Sequence, residues 1–448
     1  MFILPFITSG KGETPARVGA CMVNEDHEHF LHIGKRAVWG GHQDFGLTPK
    51  DRAQHVYCLG KSGTGKTTLL RNLIVQDMAA GVGVGVIDLH GDLAGELLDY
   101  IPPSRIDDVV YFNAEDETFP IGLNPFHNVP RARRHLVASN IVGAFHGIWR
   151  ASWGPRMAYV LYAAIATLIE CPDTTLLGLH RIFVDPTYRH RVLRHVKDPM
   201  LLAFWTSEFD RWDPRLRNEI LAPIQNKVGP LLMSPLMRNI LGQVKRKIDF
   251  RFMMDHSRIF IANLSKGSLG EDKANLLGSL IVSEMQYAAL GRANIDVSKR
   301  TPFCAYIDEF QNIQTDSFAT ILSEARKYGL ALVLSNQFCA QLEDDVANAV
   351  FGNVGSIIAF RVGSTDAQRL AEEFGNAFPP SLFSSLPNYQ VCVKMVRDGQ
   401  VSEPFQGGTF ASFGVFHGRR ETIVNRSREK YGASRKVIEY KHSKWLES

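Results

Sequence analysis

Gly60-Lys61-Ser62-Gly63-Thr64-Gly65-Lys66-Thr67 carries the strongest structural signal in the chain. It fits G-x-x-x-x-G-K-[ST] at every required position. A short apolar run, Val56-Tyr57-Cys58-Leu59, enters it. A helical pattern over 66–78 leaves it, with Leu69, Leu70, Leu73, Ile74 and Met78 on one face. Strand, glycine-rich turn and helix in that order build a phosphate cradle. Gly60, Gly63 and Gly65 let backbone N–H groups curl around phosphate oxygens, with Ser62 and Thr64 between them. The helix N-terminus adds the positive end of its dipole. Lys66 supplies a point charge to the β- and γ-phosphates. Thr67, with Thr68 beside it, offers a hydroxyl to Mg²⁺.

A second strand end should complete such a site. Phe303-Cys304-Ala305-Tyr306-Ile307 is buried-strand sequence, and Asp308-Glu309 follow it. Asp308 is expected in the Mg²⁺ shell, and Glu309 is placed to polarise an attacking water. The expected ligands are ATP and Mg²⁺. Gln337, after the strand around 330–334, would orient water or sense the γ-phosphate, or is a polar turn residue. Arg361, after the apolar Ile358-Ala359-Phe360, would reach a neighbouring subunit's nucleotide, or form a surface ion pair. Arg326 and Arg369 compete for that role. Asp88 and Lys266 end strands expected on the same side of the sheet; both keep a structural alternative.

Further strands are expected at 83–88, 109–112, 258–264 and 356–362, with helices at 272–290 and 316–328. Strands alternating with helices imply a parallel sheet covered on both faces. The fold class is therefore α/β, a nucleotide-binding domain with a mostly parallel central sheet. Residues 129–249 differ: helical patterning dominates, prolines punctuate it, and Trp149, Trp153, Trp205 and Trp212 read as core. This is an all-α insertion. The expected division is a β-rich segment at 1–50, the nucleotide-binding domain in two parts at 51–128 and 250–405 around the insertion at 129–249, and a basic tail at 406–448.

The 448 residues carry a net charge of only +4. That balance conceals a division: 129–249 is net +9 and 419–448 is net +5, while the remaining segments are acidic. Two basic segments favour a polyanionic partner. Apolar residues at 45% exclude a mainly disordered chain. Six dispersed cysteines form no C-x-x-C pair, which argues against a disulfide scaffold and a zinc ribbon. Glu25-Asp26-His27-Glu28-His29 reads as a polar loop, and His180, His190 and His195 lack ligand spacing. No secretory signal is visible. The longest apolar run, 157–169, is too short to span a bilayer. The expected location is cytoplasmic, with any membrane contact peripheral or through a partner.

An ordered set of short motifs extends these readings. It comprises Phe45-Gly46-Leu47 with Asp51-Arg52, Asp88-Leu89-His90-Gly91-Asp92, Gly122-Leu123-Asn124-Pro125, Asn263-Leu264-Ser265-Lys266-Gly267, Asp308-Glu309, Ser323-Glu324-Ala325-Arg326-Lys327-Tyr328-Gly329 and Ser427-Arg428-Glu429-Lys430-Tyr431-Gly432. The set resembles the HerA–FtsK superfamily of P-loop motors, and within it the conjugative coupling ATPases of type IV secretion (TraG/TraD type). The resemblance covers about residues 45–432. It implies a RecA-like ATPase domain interrupted by an all-α domain, a homo-oligomeric ring, usually a hexamer, with nucleotide between subunits, and DNA in the channel. Relaxase or secretion-channel proteins are the implied partners. Coupling proteins usually carry N-terminal transmembrane helices, and this sequence contains none. The expected activity is ATP-driven DNA translocation in conjugation or related mobile-element handling. The alternatives are a secretion or pilus-assembly ATPase acting on proteins, and an ATP-switched oligomeric scaffold for an effector such as a nuclease.

Overall fold

The structure, a computed structural model, describes residues 30–315, 318–397 and 399–447. The acidic-histidine run at 25–29 lies outside them. The strands are β1 (Leu31–Val38), β2 (Gly41–Leu47), β3 (Val56–Leu59), β4 (Gly83–Asp88), β5 (Val109–Asn113), β6 (Ile259–Asn263), β7 (Phe303–Ile307), β8 (Leu330–Asn336), β9 (Ser356–Ala359), β10 (Gln390–Lys394), the small hairpin β11 (Val396–Arg397) and β12 (Gln400–Val401), and β13 (Phe405–Thr409). All but that hairpin form one 11-stranded sheet in the order β2-β1-β13-β10-β9-β3-β8-β7-β4-β6-β5.

From β9 to β5 every pairing is parallel. β3, β4, β7 and β8 are buried along their whole length, as strands covered on both faces must be. From β9 outward the pairing turns antiparallel through β10, β13, β1 and β2. The N-terminal hairpin is thus welded to the strand at 405–409: Gly34 pairs with Thr409 and Lys35 with Gly408.

The helix after the glycine-rich turn is Lys66–Ala79. Its pattern predicts one apolar face, but the structure also buries Arg71, Asn72, Gln76 and Asp77. Asn72, Gln76 and Asp77 are each hydrogen-bonded, as buried polar groups usually are. Asn72 Nδ2 donates to Phe410 O at 2.9 Å. Gln76 exchanges two hydrogen bonds with the His32 backbone, both 2.9 Å. Asp77 pairs with the buried Arg52 and accepts from the Tyr306 hydroxyl at 2.6 Å. Burial works against the Arg52 charge, but Asp77 holds its pKa above the ordinary value.

The segment between β5 and β6 contains helices and turns alone, from 131 to 255. Its prolines start helices: Pro155, Pro186, Pro199, Pro214 and Pro235 each occupy a first turn. There the missing N–H costs nothing. Asp185, Asp198 and Asp213 cap three of these helices. The run 157–169 lies inside the helix Pro155–Glu170. Among the described residues no helix is long and apolar enough to cross a membrane. Trp205 is fully buried and donates to Thr167 Oγ1 at 2.8 Å, a core tryptophan.

Two expectations are corrected. The helix expected over 316–328 is α-helical only for Phe318–Glu324, then tightens to a 3₁₀ turn over Ala325–Tyr328; residues 316–317 are not among those described. The strand expected to reach 362 ends at Ala359. The tail is two helices, Arg420–Tyr431 and Arg435–Glu447, both packed on the chain itself. Ser427 Oγ accepts from Tyr111 N at 2.9 Å and donates to Tyr111 O at 3.2 Å. His442 bonds Gly242 O at 3.2 Å, and the Trp445 ring meets Tyr188 edge-on.

Candidate functional site

Parallel strands put their C-terminal ends on one edge, so β3, β4, β7, β8 and β9 deliver their last residues to one crevice. Leu59, the last residue before the glycine-rich turn, is in register with Asn336 and Ala359 on its two sides. The turn is braced from both. Lys61 N donates to Arg361 O at 2.8 Å, and Tyr389 N donates to Thr64 O at the same distance. Within it Thr64 Oγ1 donates to Lys61 O at 2.7 Å.

Two glycines are fixed here by different constraints. Gly63 has φ +74° with open space where a Cβ would sit, so only its backbone conformation demands glycine. Gly65, at φ +117°, is also crowded: a Cβ there would lie 2.8 Å from the Tyr389 ring. The Lys66 ammonium folds back onto the turn, donating to Gly60 O at 2.5 Å and Lys61 O at 3.1 Å. Burial lowers its pKa, while Asp308 and Glu309 oppose that shift. Ser62 and Thr67 are exposed at the mouth, and Thr68 is half-buried.

Asp308 and Glu309 follow β7 directly, and both are buried. Burial raises the Asp308 pKa; the nearby Asp88 and Glu309 charges add to this and Lys66 opposes it. A carboxyl held this way binds a cation more readily than it stays charged alone. Glu309 adopts φ +55°, in the left-handed region that bulky side chains rarely occupy. Two amides grip its carboxylate. Gln337 Nε2 donates to Oε1 at 2.8 Å, and Gln311 Nε2 donates to Oε2 at 2.5 Å. His90 Nε2 stands 3.8 Å from Oε1.

The structure therefore brings Lys66, Asp308, Glu309 and Gln337 together. Gln337 reaches the carboxylate itself. Asp88 turns inward: its oxygens accept from His90 N at 2.9 Å and Ala94 N at 2.8 Å, closing the turn before the next helix. Lys266 is drawn toward Glu271, 3.8 Å away; burial lowers its pKa and Glu271 and Glu309 raise it. Arg361 is folded within its own chain, donating to Leu386 O and Asn388 Oδ1, each at 3.0 Å. Arg369 lies over the Phe351 ring at 4.5 Å, and Arg326 is exposed. Gln311 is a site residue that no motif marks, and His90, inside the Asp88–Asp92 motif, carried no role of its own in the sequence reading. The glutamine lies only two positions beyond Glu309, and its contact depends on the turn that Glu309 makes.

The donor set fits a magnesium-bound triphosphate. Among the described residues no cluster of three His, Cys, Asp or Glu side chains could hold a metal alone. Mg²⁺ characteristically takes one or two protein oxygens and completes its shell with water and substrate phosphates. Thr67 and Asp308 are the residues at this edge that could supply them.

Known proteins agree with this architecture. Residues 302–378, which contain β7 to β9 and the acidic strand end, match the family described as the TraM recognition site of TraD and TraG. The bacterial conjugative coupling protein TrwB, in its deltaN70 form, is similar in fold, with a TM-score of 0.59 and 15% identity. That likeness covers 83% of this chain and 88% of TrwB. A TrwB structure in complex with ADP and Mg²⁺ is equally similar, over 84% and 90% of the two chains. VirB4 of Thermoanaerobacter pseudethanolicus follows at a TM-score of 0.52 and 14% identity, over 86% and 98%. Among curated proteins, a molybdenum import ATP-binding protein, ModC 2 of Azotobacter vinelandii, is 30% identical over 146 residues. That stretch is 30% of this chain and 39% of the importer. The chain thus has the RecA-like P-loop fold of the conjugative coupling proteins along most of its length, and it resembles TraD and TraG in sequence across the strand that carries Asp308 and Glu309.

Proposed function

We propose that this chain is an ATP-hydrolysing motor of the coupling-protein type that moves DNA through a homo-oligomeric ring, with a hexamer as the expected size. The observation that carries the reading is the meeting of Lys66, Asp308 and Glu309 at one sheet edge, with Gln337 bonded to Glu309. Gly60, Ser62, Gly63, Thr64, Gly65, Thr67 and Thr68 cradle the phosphates of ATP. Thr67 and Asp308 would hold Mg²⁺, which would supply positive charge to offset that of the phosphates. Lys66 leaves the Gly60 and Lys61 carbonyls for the phosphate chain. Glu309 takes a proton from the attacking water, and Gln337 connects that carboxylate to the γ-phosphate position. Arg361 serves a neighbouring subunit's nucleotide after releasing Leu386 and Asn388.

DNA is favoured as cargo by the insertion's charge. Arg131, Arg156, Arg194, Lys197, Arg211 and Arg215 are exposed there. Such side chains grip phosphates without reading sequence. The tail contributes less: Arg420, Arg428, Lys430 and Arg435 pair with Asp99, Asp116, Asp107 and Glu117 of the same chain. A cytoplasmic location with peripheral recruitment to the membrane, and relaxase or secretion-channel partners, complete the reading.

The test is steady-state ATP hydrolysis with and without single- and double-stranded DNA at two salt concentrations. Glu309→Gln serves as the control. Stimulation by DNA that fades with salt and is lost in the variant is expected. Hydrolysis indifferent to both DNA forms would overturn DNA as cargo and direct the search to protein substrates.

A further inference from the structure

Tyr389 immediately precedes β10, and no part of the phosphate motif includes it. Its backbone sits at φ +65°, a conformation costly for a large side chain. It is held there from both directions: its N–H donates to Thr64 O at 2.8 Å, and its carbonyl accepts from Thr409 N at 2.8 Å. The ring covers the α-carbon of Gly65, which is why no Cβ fits at that glycine. Yet the residue is 45% exposed. Strain maintained by surrounding contacts concentrates at ligand clamps.

The order of strands gives the nucleotide a direction. Glu309 and Asp308 stand on the β7 side of the phosphate loop, and Tyr389 stands on the β9–β10 side. The hydrolysable end must face the carboxylates. A triphosphate lying across the start of the helix Lys66–Ala79 then sends its nucleoside end the opposite way. We propose that Tyr389 is the platform on which the nucleobase stacks, with one edge of its ring on the phosphate loop and its exposed surface on the base. Arg361 is pinned to Leu386 and Asn388 in the same segment, so it borders this position. The inference rests on the triphosphate reading of the site and adds the group that binds the other end of the nucleotide.

Calorimetric titration with Mg·ATP and with Mg·tripolyphosphate separates the two ends. Tyr389→Gly removes the ring and suits the local φ, so folding is preserved; a thermal melt checks it. The expected result is about tenfold weaker ATP binding, as for loss of one base–aromatic stack, with tripolyphosphate affinity within about twofold. Tyr389→Phe, which keeps the ring, restores the lost affinity. Equal weakening of both ligands, or no change in either, would overturn the proposal. Lys66→Ala weakens both ligands if the loop binds triphosphate. No effect of that substitution would sink the triphosphate reading itself, and the stacking role with it.

Discussion

Glu309 is placed by its backbone as much as by its partners. A left-handed φ at the end of β7 throws the carboxylate back toward the crevice, where Gln311 and Gln337 each donate to one oxygen. In the proposed mechanism this carboxylate is the base; held by two donors it is aimed, but its lone pairs are partly engaged. The glutamines therefore act through Glu309. Gln311→Ala is expected to lower kcat about tenfold and leave KM for ATP within twofold, because only the aim of the base changes. Glu309→Gln removes the base and should lower kcat by about a hundredfold or more while ATP still binds. Steady-state kinetics with nucleotide titrations distinguishes the two. His55 supplies a different test. It is buried, its Nε2 bonds Leu322 O at 3.1 Å, and its Nδ1 accepts from Leu332 N at 3.0 Å. An accepting Nδ1 requires the neutral ring, and burial lowers its pKa to about 4. The folded value lies below the unfolded one of about 6.5, so the folded state binds fewer protons. The stability this contributes is complete above pH 6.5 and is lost as pH falls toward 4, by about 3 kcal/mol in total. Urea unfolding between pH 7.5 and 5 should show this slope, and His55→Gln should remove its share.

At the level of elements, the glycine-rich turn at 60–65 is closely packed. Phe360 and Tyr389 both press on it, so Gly65→Ala meets ring atoms as well as an unfavourable φ. The substitution should cost roughly 1–3 kcal/mol and abolish tight nucleotide binding, read by denaturant unfolding and calorimetry. The loop, its strand and the acidic strand end were legible in the sequence because each is local: a fixed spacing, a short β-branched or aromatic run, a pair of acids after it. The parallel strands could be read for the same reason, since strands buried on both faces are almost continuously apolar. The antiparallel edge was not legible as part of the sheet. Gly34 meets Thr409 across most of the chain's length, and Gly407 and Gly408 have no side chains to advertise a strand. Nor were Gln311 and Tyr389, whose roles come from a backbone turn and from packing between distant segments. The polar face of the helix Lys66–Ala79 belongs to the same class, because its partners His32, Phe410 and Arg52 come from elsewhere in the chain.

At the scale of the molecule, the tail joins the sheet to the insertion. The helix Arg420–Tyr431 lies on β5, and the helix Arg435–Glu447 reaches Gly242, Arg181 and Tyr188. Two forces hold it, and they are not equal. The ion pairs are conspicuous, with Arg426 and Lys430 on Asp107, Arg428 on Asp116 and Arg435 on Glu117. Most of these partners are well exposed, where water and salt screen the attraction and ordering long side chains offsets it. Ile423 and Ile438 are by contrast almost wholly buried, and Ser427 closes a buried double hydrogen bond with Tyr111. Burial should therefore dominate. Ile423→Ala is expected to destabilise the protein by about 2–4 kcal/mol, whereas Arg426→Ala should leave the unfolding midpoint nearly unchanged. Raising salt should move the wild-type midpoint little. If instead Arg426→Ala and high salt destabilise as much as Ile423→Ala does, the tail is an electrostatic latch, and ionic conditions would control how firmly the insertion is tied to the ATPase sheet.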